Sequence, residues 1–523
     1  MSQHQKFNRE AFLIASFASI VISTLWFAMT WRFGFDTADE GFYWYGAQRV
    51  LDGEIPLLDF MAYDIGRYYW AALFMAVLGD NGLFAARLSA YGFQTLGGIV
   101  FVYLIIQDGV LSFKKKSLLA IIAISIYSLW VAPYYKVFDH VASVLVVALI
   151  WAILKFQDKR IWFISGVALG FAALIGRNHG IYGLAAFTIV FIWLLATSND
   201  RLATVKIGLT FIAGVVLGFS PTLLLVFIAD GFWQAFLESI YALFQAGSTN
   251  INLPIPWPWS RNYSGLGALI SISAFFSGIM FLALLLVPLY LLVHVLILSK
   301  RASGGDNAML LALVVTGATY AHYAFSRADT THLVLGIFPI LIASLIFIAS
   351  LPLFKLVAAS VLLTCISVIT IGDHQPVLAK SFFGRKLVDI QVGQESVSTR
   401  ENIAKLWNSS LQALASKTDG DKSFLALPNL PSLHAAFDVK MPIWEIYSLI
   451  SRSEFFETQE INAIQKSKPN IIIVSNHKLD NNAALQFSNT HPLTYQWISG
   501  NYTKDRQVNL YGLDSFEVFR LNQ

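Results

Sequence analysis

Seven carboxylates, Asp36, Asp39, Glu40, Asp52, Glu54, Asp59 and Asp64, crowd the stretch that ends at Arg67, in a chain whose charged residues make up only 13%. They follow directly on the apolar segment 11–31. A carboxylate at the edge of a membrane-length segment can take the proton of an alcohol as that alcohol attacks, which is general base chemistry. Ionisable groups in or beside the bilayer are costly to place, so they are functional candidates by default. Thr37-Ala38-Asp39-Glu40 fits a capping box, with the Thr37 hydroxyl and Glu40 each meeting an orphan amide. Glu40 therefore reads equally as a cap and as a second acid. Asp36, Asp52 and Glu54 read as solvated. Asp39 has no such structural duty, and it is the first candidate for a catalytic carboxylate. The helix it opens runs to about Leu51, stops at Asp52-Gly53, and carries Phe42, Tyr43, Trp44 and Tyr45 as an aromatic belt suited to the headgroup zone.

Three further polar knots interrupt the apolar runs: Tyr134-Tyr135-Lys136 with Asp139-His140, Gly176-Arg177-Asn178-His179-Gly180, and Ser326-Arg327-Ala328-Asp329-Thr330-Thr331-His332. Their cations suit phosphate oxygens, an arginine fork holding two at once. Each also fits an interfacial anchor whose charge reaches out to water. His332 and Asp329 can join Asp39 or Asp64 around a divalent ion, for which hard oxygen ligands select Mg2+ or Mn2+. His140 and His179 are expected to be hydrogen-bonded residues rather than ligands. In Asn252-Leu253-Pro254-Ile255-Pro256-Trp257-Pro258-Trp259 the prolines imply a stiff loop. Trp257 and Trp259 offer faces for a sugar ring, a lipid tail or the membrane boundary.

The elements that must position these residues are membrane helices. The chain has 523 residues, is 56% hydrophobic and has a mean hydropathy of +0.60, too apolar for a soluble protein of this length. Candidate spans are 11–31, 83–107, 117–134, 141–155, 161–176, 180–197, 207–229, 277–298, 307–325, 332–350 and 353–371, about eleven in all. The first lacks a cleavage site and reads as retained. Lys6 and Arg9, Lys114 to Lys116, Lys155, Lys159 and Arg160, Arg201 and Lys206, Lys300 and Arg301, and Lys355 all fall on one side. That side is cytoplasmic by the positive-inside bias. The acidic loop, an aromatic-proline loop from 230 to 264, and the tail then lie outside. The net charge of +4 includes no basic block that would suit nucleic acid. The lone Cys365 excludes a disulfide framework. After Ile371 polar residues become frequent. Ile471 to Val474 reads as a buried strand, 515–521 as a half-buried one, and 399–416, 443–450 and 457–467 as helices. The expected architecture is an α-helical polytopic membrane protein: a transmembrane domain, 1–371, whose outer loop 32–82 carries the acids, and a small soluble α/β domain, 372–523.

Asp39-Glu40, Ala47-Gln48-Arg49, Gly53-Glu54-Ile55-Pro56 and Asp59-Phe60, followed by Tyr63-Asp64-Ile65-Gly66-Arg67-Tyr68, resemble the first outer loop of the type C glycosyltransferases. These include the bacterial protein mannosyltransferases and aminoarabinose transferases. Many relatives have Tyr-Pro-Pro-Gly where this chain has Tyr63-Asp64-Ile65-Gly66. Arg327-x-Asp329-x-x-His332 resembles a sequence at an outer turn of some bacterial members. The resemblance implies transfer of a sugar, with inversion, from a polyprenyl-phosphate carrier to an acceptor hydroxyl of a glycan, glycolipid or protein. It implies Asp39 as the base, supported by Glu40, Asp59 and Asp64. Arg327, Arg177, Lys136 and Arg67 are then candidates for the donor phosphate, and Tyr43, His332, Asp329, Trp257 and Trp259 for the substrates. The implied place is the bacterial inner membrane, N-terminus in the cytoplasm and C-terminal domain in the periplasm. A lipid-linked glycan polymerase or ligase is the alternative, and a flippase is a third reading.

Overall fold

A computed structural model describes residues 7–245, 251–299, 307–415, 423–509 and 515–522. The chain forms two compact units, one of residues 1–30, 90–230 and 248–384, the other of 31–89, 231–247 and 385–523.

Every predicted span is largely helical, although 332–350 is divided between two helices. Among the described residues eight helices are long and apolar enough to cross a membrane: Arg9–Thr30, Leu83–Ile106, Tyr134–Phe156, Arg177–Thr197, Arg201–Ile228, Ala268–Ile297, Ala308–Ser326 and Leu353–His374. A ninth is added if Thr330–Gly336 and Phe338–Ser350, bent by 59°, form one broken span. The expected eleven is not reached, for two reasons. Phe113–Trp130 carries three lysines in its first turn. Lys159–Ile175 has 17 residues, about 26 Å at 1.5 Å per residue, against roughly 30 Å of hydrocarbon. Lys6, Lys300 and Arg301 lie outside the described residues.

Lipid replaces water as the solvent of these helices. Leu209, Val216, Leu224 and Phe227 of Arg201–Ile228 are all exposed. The opposite face of that helix packs on Lys159–Ile175 by backbone contact. A Cβ on Gly166 would lie 2.1 Å from the Phe211 carbonyl oxygen, and one on Gly170 2.2 Å from that of Val215. From the other side, a Cβ on Gly214 or Gly218 would lie 2.3 or 2.1 Å from the Phe163 or Val167 carbonyl oxygen. Two GxxxG motifs thus face each other, the sequence device that lets membrane helices approach closely. Gly170→Val should destabilise the protein by about 1–3 kcal/mol through overpacking. The check is the melting temperature in detergent, and an unchanged value would deny the close contact.

In the second unit Asp39–Leu51 and Gly66–Leu78 are helices. Phe42, Tyr43, Trp44 and Tyr45 are buried, so they form a core rather than the expected headgroup belt. Trp44 Nε1 donates to the Asn81 carbonyl, and the Tyr45 hydroxyl accepts from the Met441 amide. The helix meets Pro431–Phe437 at a glycine, since a Cβ on Gly41 would lie 2.4 Å from the Ser432 nitrogen. Residues 232–245, expected within a loop, form the helix Phe232–Gln245.

The C-terminal part is a small α/β domain. A hairpin of β1 (Leu387–Val392) and β2 (Glu395–Arg400) precedes the helix Glu401–Ala415. A four-stranded sheet then has β3 (Phe424–Leu427), β4 (Ile471–Ser475), β5 (Tyr502–Asn509) and β6 (Ser515–Leu521) in the order β3-β4-β6-β5. The β3–β4 pair is parallel and the others antiparallel. The isoleucine run is the buried strand expected. β6 is paired on both edges, and its first five residues are buried on both faces, so the expected alternation is absent. Glu454–Ser467 is the expected third helix. Residues 443–450, also expected to be helical, form an irregular, largely buried loop.

Candidate functional site

The acidic loop is organised by Arg87, whose guanidinium is 1% exposed. Its Nε donates to Glu40 Oε1 at 2.7 Å and its Nη2 to Glu40 Oε2 at 3.0 Å. Nη2 also donates to the Gly34 carbonyl at 2.6 Å, and Nη1 to that of Trp31. One side chain thereby ties down the whole turn from 31 to 40. Both Glu40 oxygens are engaged in this buried pair. Glu40 Oε2 also accepts from the Asp36 amide at 3.2 Å.

The capping box does not form, because Asp36 takes the place of Thr37. Asp36 Oδ1 accepts from the amides of Ala38 and Asp39 at 2.9 and 2.6 Å. Asp36, expected to be solvated, is half-buried. Burial, then the charges of Asp39 and Glu40, push its carboxyl up to about 6. Asp52 pairs with Arg49 at 2.9 Å and Glu54 with Lys440 at 3.1 Å.

Asp39 itself is half-buried at the first position of its helix, where the helix dipole favours its negative charge. Its Oδ1 accepts from the Tyr447 hydroxyl at 2.6 Å. Phe42 lies against both Tyr63 and Tyr447, with ring centroids 5.0 and 5.3 Å away. The other loop candidates have separate duties. Asp59 is exposed and accepts from the Ile55 amide at 2.7 Å, holding its turn. Asp64 is buried, 3.8 Å from Arg67. Tyr43 is buried with its hydroxyl 2.6 Å from Ser89 Oγ.

The other unit brings the remaining knots together. Asp139 Oδ1 lies 2.9 Å from His179 Nε2 and accepts from the Tyr323 hydroxyl at 2.9 Å. The Tyr320 hydroxyl lies 3.3 Å from His179 Nδ1. Asp139 stands one turn after Lys136, His179 two residues after Arg177, and Tyr323 one turn before Arg327. Bonds meeting at one carboxylate oxygen therefore draw three cation-bearing helix ends into one neighbourhood. His179 is hydrogen-bonded as expected, whereas both nitrogens of the buried His140 lack a partner among the described residues.

Arg327 Nε donates to Asp329 Oδ2 at 2.9 Å, and its Nη1 to the Ile251 carbonyl at 3.2 Å. Asp329 Oδ1 caps the next helix through the His332 amide at 2.9 Å and lies 2.8 Å from His332 Nδ1. Burial pushes the Asp329 carboxyl up, but hydrogen bonds and charge from His332, with the Arg327 charge, outweigh it and hold it at about 2. The His332 ring lies edge-on to Tyr323, centroids 6.4 Å apart. The tryptophan loop adjoins this knot. Trp257 packs near Phe325 and stacks on Trp259 at 5.7 Å, and Trp259 is exposed. That loop rests on Gly278, where a Cβ would meet the Pro256 carbonyl at 2.5 Å.

Among the described residues no group of three or more His, Cys, Asp or Glu side chains is placed to hold a metal ion. Of the three residues that could join around an ion, Asp39 bonds to Tyr447, Asp64 lies near Arg67 and His332 lies by Asp329. Sequence reasoning missed Tyr447 and Asp36 as site residues. It also left Arg87 inside the span 83–107 without a role, although a lone arginine in an apolar run signals a buried acidic partner.

No family model matches the sequence, and no curated protein does. Solved structures do match. The oligosaccharyltransferase of Archaeoglobus fulgidus in its apo form aligns with a TM-score of 0.52 and 12% identity, over 96% of this chain and 73% of that chain. AglB, the oligosaccharyltransferase of the same organism, in complex with an inhibitory peptide and a dolichol-phosphate aligns with a TM-score of 0.49 and 14% identity, over 98% and 74%. The apo match shows a likeness of fold to that oligosaccharyltransferase, and the resemblance read from the acidic loop stands at the level of fold.

Proposed function

We propose that the protein is an integral membrane glycosyltransferase that moves a sugar, with inversion, from a polyprenyl-phosphate donor to an acceptor hydroxyl on a glycan, glycolipid or protein. The reaction takes place at the outer face of a bacterial inner membrane. The observation that carries this reading is the Asp39 carboxylate, fixed at a helix start by the 2.6 Å bond from Tyr447 in a chain with this fold. The acceptor oxygen attacks the anomeric carbon, Asp39 takes the hydroxyl proton, and the bond to the carrier phosphate breaks with its electron pair going to phosphate. An alcohol is a poor nucleophile at neutral pH, so removing its proton as the bond forms lowers the barrier. The leaving phosphate needs charge stabilisation, and Arg327, Arg177 and Lys136 are the cations proposed for it.

The test is the purified protein in proteoliposomes with a labelled polyprenyl-phosphate sugar and a mixed acceptor extract. Label in product supports the proposal. Label carried across the bilayer without transfer would favour a flippase and overturn it. Within that assay Arg327→Ala should raise the donor KM about 10- to 100-fold, the equivalent of one charge-assisted hydrogen bond of about 1.5–3 kcal/mol. The acceptor KM should stay within about twofold. An unchanged donor KM would return Arg327 to the role of interfacial anchor.

A further inference from the structure

The hydroxyl on Asp39 comes from 408 residues away in sequence, in the C-terminal domain. We infer that Tyr447 is a positioning residue for the proposed reaction, fixing the plane of the Asp39 carboxylate and setting how readily it takes a proton. This rests on the reading of Asp39 as base.

A base works only if its oxygen is presented in a fixed direction, and a short hydrogen bond to one oxygen removes the carboxylate's torsional freedom. The donor is itself held. The Ser448 amide donates to the Pro428 carbonyl at 2.9 Å, and Trp444 Nε1 to the Leu57 carbonyl at 3.1 Å. The amides of Trp444 and Glu445 donate to Glu460 at 3.3 and 3.2 Å. The Glu445 side chain is ion-paired with Arg452 and lies 2.9 Å from His491. Residues 444–448 are thus braced between the acidic loop and the domain's own helices. The Tyr447 ring is buried and packs on Phe42. Burial, and then the charge of Asp39, push its phenol well above its ordinary range, so it remains a donor throughout the working pH range.

The sign of the effect follows from the donor's role. An O–H donated to a carboxylate favours the charged form and lowers its pKa. Removing that O–H raises the pKa of the base. Ionisable groups near Asp39 include Asp36 in the preceding turn, Glu40 on its own helix with Arg87 against it, and Tyr63. Arg67, Arg452 and Glu445 act on Tyr63. All of them are retained when Tyr447 becomes phenylalanine.

The experiment compares full-length protein with Tyr447→Phe, Asp39→Asn and a variant bearing 3,5-difluorotyrosine at 447, over a pH series in the labelled-donor assay. Tyr447→Phe should lower kcat about tenfold, leave the donor KM within about twofold, and move the acid limb of kcat/KM to higher pH. Difluorotyrosine keeps the ring's packing but is a stronger donor, and it should move that limb to lower pH, a response that a merely structural ring would not give. An unshifted limb in both variants, with Asp39→Asn inactive, overturns the inference and leaves the base in place. Activity retained in Asp39→Asn overturns both.

Discussion

Asp39→Asn should reduce sugar transfer by about 10²- to 10⁴-fold, the usual contribution of a general base, while leaving the protein folded. Asparagine has nearly the shape of aspartate, and its side-chain oxygen still accepts from the Tyr447 hydroxyl. What it loses is the charge and the ability to take a proton. The bonds that hold the loop's turn do not use that charge. The turn's backbone is held by Arg87, Glu40 and the Asp36 cap, none of which uses the Asp39 side chain. Charge repulsion from Asp39 also contributes to raising Asp36, so the substitution should let the Asp36 carboxyl titrate lower. Two measurements together decide the matter: transfer in proteoliposomes and melting temperature in detergent. Full transfer with normal folding would remove Asp39 from the chemistry. Loss of both would mean that the charge holds the loop.

The helices were legible because apolar runs of membrane length are a one-dimensional signal, and each predicted span is largely helical. Their number as spans was less legible. Lys159–Ile175 is short, and its partner Arg201–Ile228 begins earlier than the apolar run suggested, because Asp200 caps it through the Ala203 amide. The paired GxxxG motifs that join these two helices were present in the sequence, although which glycines face each other is a property of packing. The acidic loop announced itself by composition, yet composition could not divide its labour. Glu40, Asp36 and Asp39 are chemically alike, and only the position of Arg87 assigns the first to an ion pair and the second to a cap. Tyr447 left no local trace, since a tyrosine in an irregular segment matches no period or motif. Asp139 was visible as an acid at a span's start, whereas its bonds to His179 and Tyr323 depend on three helices meeting. Aromatic residues 42 to 45 misled in the opposite direction. Their composition suits a headgroup belt, but they are buried, and a buried aromatic cluster has the same composition.

Arg87→Ala should cost about 3–5 kcal/mol of stability, the usual penalty when one partner of a buried ion pair is removed. Glu40 is 1% exposed, so without the guanidinium its charge is left in a low-dielectric interior, and the Trp31 and Gly34 carbonyls lose their donor as well. Lysine should not rescue, because a single ammonium cannot reproduce a fork that serves both Glu40 oxygens and two carbonyls. The double variant Arg87→Met with Glu40→Leu should recover much of the loss, since replacing a buried pair by apolar groups of similar volume is often nearly neutral. Thermal unfolding of the single and double variants gives the comparison. A loss below about 0.5 kcal/mol in Arg87→Ala, the range of ordinary surface substitutions, would show that the pair does not hold the loop. Transfer activity should follow the same order, alanine and lysine low, because the turn that presents Asp36 and Asp39 loses its tether. The double variant separates two roles of the pair. If it regains stability without activity, the ion pair sets the geometry of the acidic turn as well as its folding, and Glu40 acts on the reaction through Asp36, whose amide it accepts.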